Sequence, residues 1–195
     1  MIQLIPSRPD DRVRSNLEDA KVSEREASAA FAKASEDRAQ AKARVEAKKQ
    51  EVSVLDTKIK LADKEKRETD KIALTAEKRA AEREKQMAER LQDLHASEME
   101  AAKKNRDLAL ASQRALELEL ELAAKRSERT RVGSGNPAAA NRLDQVIREL
   151  ERRTLEAQKA RAAAAKDAAA RDEDIANRRL DLYRAQLEAT GQRSP

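Results

Sequence analysis

The sequence predicts an all-α chain: a long coiled-coil rod, folded as a hairpin of one helix of about 120 residues and one of about 53. Three observations carry this. The 195 residues are dominated by Ala, Glu, Lys, Arg and Leu, the strongest helix formers, with only three glycines and four prolines. Apolar residues recur at alternating steps of four and three over more than a hundred positions. The few strong helix breakers are gathered at two ends and one internal point.

Composition also sets bounds. Charged residues make up 41% and aromatics 1%, and much of the 39% hydrophobic fraction is alanine. A globule built on methyl groups buries little apolar area and is poorly supported. The 42 basic and 37 acidic side chains are interleaved, as in Lys64-Glu65-Lys66-Arg67-Glu68, which is the pattern of a solvated helix surface. Without cysteine there is neither a disulfide framework nor a thiolate metal site. No segment approaches the ~20 apolar residues of a membrane span, and Met1 to Ile5 is too short for a signal sequence, so the expected location is cytoplasmic.

The elements follow in order. Residues 1–10 read as a short flexible head carrying Pro6 and Pro9. Residues 11–132 contain no Gly or Pro and read as one heptad-bearing helix, with Asp10 or Asp11 able to cap its first turn. Its length would be on the order of 180 Å. From Val13 the heptad rows give 24 apolar residues at 35 positions, against about 14 expected from background, with no shift of register. The strongest members are Leu17, Phe31, Val45, Val52, Leu55, Ile59, Met87, Leu94 and Leu108, read as an oligomer seam. Val45, Val52 and Ile59 at a positions favour two strands. Alanine at d from Ala20 to Ala41, and the intruders Glu24, Arg38, Lys48, Lys66, Arg83, Arg90 and Lys104, predict a seam of moderate strength.

Residues 133–137 (Gly133-Ser134-Gly135-Asn136-Pro137) read as a turn, with Gly133 stopping one helix, Asn136 capping the next and Pro137 in its first turn. Residues 138–190 form a second helix that folds back antiparallel, and 191–195 a polar tail. Folding back predicts hairpin packing of Leu116, Leu118, Leu120 and Leu122 against Leu143, Ile147 and Leu150. It leaves residues 11 to about 79 without an intramolecular partner, so a homo-oligomer, with a dimer favoured, is expected.

Catalytic, cofactor and metal residues are all absent from this reading, and no enzyme activity is expected. His95 is the sole histidine and reads as a surface residue, since the helical di-iron pattern would need a carboxylate at Gln92. Asp172-Glu173-Asp174 splay around a helix instead of converging on an ion. Tyr183 reads as partly packed on the last turns. The region around the turn is basic, and Arg126, Arg129, Arg131, Arg142 and Arg148 are candidate anion contacts, although no aromatic lies nearby to stack on bases. Function is thus expected to be structural or scaffolding, as a self-associating spacer, filament subunit or adaptor. The alternatives are nucleic-acid or anionic-surface binding through the basic hairpin tip, with nucleic acid not the expected partner, and membership of a hetero-oligomeric coiled coil with other coiled-coil proteins.

Overall fold

The computed structural model describes residues 9–133 and 135–190. They form three helices, α1 (Pro9–Lys64), α2 (Glu68–Val132) and α3 (Pro137–Thr190), and no strand. None of these is long and apolar enough to cross a membrane. Met1 to Ile5, Ser134 of the turn and the tail 191–195 lie outside the described residues. Pro9 and Asp10, assigned to the head from sequence, are the first residues of α1. Proline's fixed φ and missing N–H suit a helix start.

The uninterrupted helix expected over residues 11–132 is two helices. Glu65, Lys66 and Arg67 break it without glycine or proline. The Lys66 N–H donates to the Asp63 carbonyl (3.1 Å) and the Arg67 N–H to the Ala62 carbonyl (2.9 Å), the paired bonds of a Schellman stop. Lys66 itself adopts φ +56°. A residue with a Cβ gives up roughly 1–2 kcal/mol in that conformation, so tertiary packing must supply what local propensity withholds. Glu68 and Asp70 then suit the positive end of α2. At the second turn the same φ of +56° falls on Gly133, whose N–H donates to the Arg129 carbonyl (3.2 Å). Asn136 starts α3, its Oδ1 accepting from the Ala139 N–H at 3.1 Å.

The helices contribute to two compact units. The first takes α1 up to Ala30, α2 from Ala102 and α3 up to Ala170. Its centre is Leu118, Leu122 and Leu150, with Ile147 and Ala157 packed against them. Leu116 is also buried, while Leu120 and Leu143 are half-buried at the margin. Lys104–Asp167, Arg126–Glu151 and Arg129–Asp144 pair α2 with α3 at 3.0, 2.7 and 2.8 Å, and the α3 number falls as the α2 number rises, so these segments run antiparallel. Buried Thr154 satisfies its hydroxyl on the Leu150 carbonyl at 2.7 Å.

The second unit takes α1 from Phe31, α2 up to Ala101 and α3 from Arg171. Here α1 and α2 are antiparallel neighbours, bridged by Lys48–Glu84, Asp56–Lys78 and Asp63–Lys71. Residues 31–64 therefore have a partner within the chain, contrary to the expectation that this stretch stands exposed. Ala41, Val45, Leu55, Ala62, Ala81, Leu94, Ala101 and Ala185 are its buried apolar residues.

Heptad periodicity describes the covered face of α1 well, since Leu17, Phe31, Val52 and Ile59 are half-buried and Val45 and Leu55 buried. The expected continuity of register into α2 fails. Ala73, Ala76, Ala80, Arg83 and Arg90 are exposed, and Leu74, Lys78, Ala81, Lys85 and Ala88 turn inward instead. This stretch directly follows the break at Lys66, where α2 turns back along α1. Farther along α2 the expected rows again face inward: Met87 and Leu108 are half-buried, and Leu94, Ser97, Ala101, Ala115, Leu118 and Leu122 buried. Among the described residues ten of the seventeen buried apolar side chains are alanines, so each turn contributes little apolar area.

Candidate interaction surface

Three surfaces stand out. The first is the basic turn of the first unit. Arg129 clasps Asp144 through Nε–Oδ1 (2.8 Å) and Nη2–Oδ2 (3.3 Å) and donates from Nη1 to the Gly133 carbonyl (3.3 Å). Arg126 binds Glu151 at 2.7 Å, and Lys125 binds Glu128 at 2.7 Å, a hydrogen bond that raises the Lys125 pKa. Among the described residues Arg131, Arg142 and Arg148 form no ion pair, and all three are exposed. Arg142 and Arg148 are six residues apart, which points them about 120° from each other around α3. Of the five candidate anion contacts, two are already neutralised by carboxylates and two of the others diverge.

The second surface is a polar clamp in the second unit that sequence reading missed. Glu98 Oε1 accepts from Arg179 at 2.8 Å, and its Oε2 lies 2.9 Å from His95 Nδ1. Burial pushes the Glu98 carboxyl up, but the bonds from Arg179 and His95 outweigh it and hold the carboxyl below its ordinary range. His95 is thus half-buried and engaged, not a surface residue. Buried Ser97 hydrogen-bonds Asp174, whose pKa is lowered first by Arg178 and then by Ser97. Arg179 stands 81 positions from Glu98, and no local pattern announces such a pair. Among the described residues no group of three His, Cys, Asp or Glu side chains could hold a metal ion.

The third surface is a groove between α1 and α2 in the second unit. Along part of it α3 lies in place: Leu182 and Gln186 line a space of about 350 Å³ with Ala47, Lys48, Met87 and Leu91. Lys48 sits between Glu51 and Glu84, whose hydrogen bonds push its pKa up to about 12. The groove continues toward the α1–α2 turn without α3. Next comes a space of about 490 Å³ walled by Val54, Leu55 and Lys58 on one side and Glu77, Ala80 and Ala81 on the other. It opens into a space of about 390 Å³ reaching Leu61, Ala73 and Leu74. Val54 is 53% exposed and Leu61 49%. Lys58 on the α1 wall and Glu77 on the α2 wall border both spaces, and among the described residues neither forms an ion pair. The stretch from Glu51 to Lys64 offers about 20 Å of helix wall.

Val54 and Leu61 fall outside the heptad rows, yet their seven-residue spacing was the signal that could have marked a second stripe. Tyr183, expected to be partly packed, is 57% exposed beside Leu180 on the outer side of α3. The residues read as an oligomer seam are buried or half-buried by their own chain, so any helix added to the molecule must find other apolar side chains.

No family model matches the chain, and neither a curated protein nor a solved structure shows significant similarity to it.

Proposed function

We propose that the chain is a structural protein of coiled-coil type, a spacer or adaptor that associates through its helices. The observation that carries this reading is the open stretch of the α1–α2 groove. Val54 and Leu61 are one heptad apart on α1, and Ala73 and Ala80 one heptad apart on α2, the spacing that receives a helix. The same groove already receives α3 at Leu182 and Gln186. Lys58 and Glu77 put opposite charges on the two walls, which favours one direction for an incoming helix. Exposed aliphatic side chains at regular spacing are the mark of an interaction site more than of a solvated face.

Sedimentation velocity across a broad concentration range tests this. The expected result is a mass that rises with concentration in the wild-type chain and stays monomeric in Val54→Glu/Leu61→Glu, with unchanged helicity by circular dichroism. A wild-type chain that is monomeric throughout would overturn self-association and turn the reading to a hetero-oligomeric coiled coil. The basic turn is the weaker candidate for partner binding, because Arg126 and Arg129 already spend their charge on Glu151 and Asp144.

A further inference from the structure

The turn between α1 and α2 is unlike the turn between α2 and α3. Gly133 adopts the left-handed conformation at no steric cost, whereas Lys66 adopts the same φ of +56° with a full side chain. The residues around it, Lys64-Glu65-Lys66-Arg67-Glu68, are all good helix formers. Nothing local prevents a straight helix through this point. The bend is held by Arg67, paired with Glu65 (2.6 Å) and Asp70 (2.9 Å), and by the packing of α1 onto α2.

That packing is symmetric about the bend. Lys48–Glu84, Asp56–Lys78 and Asp63–Lys71 are each centred on residue 66 or 67. Two straight helices lying antiparallel and crossing at residues 67–68 would set the α1 row of one copy against the α2 of the other, with Leu55 opposite Ala80, Ile59 opposite Ala76 and Ala62 opposite Ala73. They would also re-bury Ala41, Val45, Leu55 and Ala62 against the α2 of the other copy. Straightening gives one further thing that the bent form lacks. The row Val52, Leu55, Ile59, Ala62 then runs in phase into Ala73, Ala76 and Ala80, which the bent form leaves exposed.

We propose that Glu65–Arg67 is a hinge for exchange of α1 between two copies of this chain, so that α1 and α2 fuse into one helix and each copy's α1 packs on the other's α2. Short strained hinges are where such exchange arises. The inference rests on the self-association proposed above and adds to it an interface between α1 and α2 separate from the open groove at Val54 and Leu61.

The chain has no cysteine, so spin labels at Ser53→Cys and Gln86→Cys, both exposed positions, report on the hinge alone. Pulsed dipolar spectroscopy on doubly labelled chain diluted in excess unlabelled chain reads the distance within one copy. Bent, the two sites are roughly 20 Å apart; straight, 33 residues of helix set them about 50 Å apart. The expected result is a dimeric fraction by light scattering that carries the long distance. Lys66→Gly relieves the turn and weakens a straight helix at two hinges per dimer, so dimerisation falls at least about 100-fold. Lys66→Val, poorly tolerated at positive φ, raises it. A dimer that keeps only the short distance, or one indifferent to both substitutions, overturns the exchange while leaving self-association standing. A chain that stays monomeric at every concentration overturns both.

Discussion

Leu150 and Leu155 offer a controlled comparison of the three-helix packing in the first unit. They are the same residue type on the same helix, five positions apart, yet Leu150 is 2% exposed and Leu155 53%. Leu150 lies against Leu118 and Leu122. Truncating it to alanine removes three carbons from a dry site, a transfer loss of about 2.4 kcal/mol at 0.8 kcal/mol per carbon, and the cavity left behind brings the total to about 3 kcal/mol. Leu155→Ala removes the same atoms from a side chain half in water and leaves no cavity, so its cost is below about 1 kcal/mol, partly offset by alanine's better helix propensity. Urea unfolding followed by far-UV circular dichroism separates the two. With a slope of about 2 kcal/mol/M, Leu150→Ala should lower the midpoint by roughly 1.5 M and Leu155→Ala by less than about 0.5 M. Equal midpoints for the two variants would refute the assignment of this helix face to the core.

Other outcomes follow from the clamp, the turn and its caps. Because Glu98 titrates below its unfolded value, its contribution is present above the unfolded pKa and is lost as pH falls through the folded one. Thermal melts of the wild-type chain should therefore weaken on acidification below the ordinary carboxylate range, and Glu98→Gln should flatten that limb modestly, since the group is part-exposed. Asn136→Ala removes the acceptor for the Ala139 N–H and should cost about 1 kcal/mol, with faster amide hydrogen exchange in the first turn of α3. Gly133→Ala forces a side chain into a positive φ and should cost on the order of 1 kcal/mol by the same unfolding assay. Heparin binding tests the basic turn: since Arg126 and Arg129 are paired, replacing both with Ala should change elution by less than replacing Arg131, Arg142 and Arg148.

How much of this was legible depended on whether the cause was local. The helical state came from composition, and the second turn came from Gly133 and Asn136, whose conformational needs can be read one residue at a time. The face of α1 came from periodicity, because burial of a helix depends on spacing alone. The first turn was invisible: Lys66 has no intrinsic reason to stop a helix, and its left-handed backbone exists because α1 and α2 gain more by packing than the turn costs. Everything downstream of that error was displaced with it, including the supposed unpaired stretch and the expectation that the seam faces another molecule. The groove at Val54 and Leu61 and the Glu98–Arg179 pair depend on which helices become neighbours, and only three-dimensional proximity defines them.

The prevalence of alanine among the buried residues has a consequence for alignment. Ala20, Ala27, Ala34 and Ala41 follow one another at steps of seven, so sliding α1 by one heptad exchanges methyl for methyl and meets little steric objection. Discrimination between neighbouring alignments then falls to the long charged side chains flanking the interface: a shift of one heptad sets Leu55 or Ala41 in place of Lys48 opposite Glu84, and Asp63 or Lys49 in place of Asp56 opposite Lys78. Such a ruler is read by electrostatics, and concentrated electrolyte blurs its marks before it dissolves the helices.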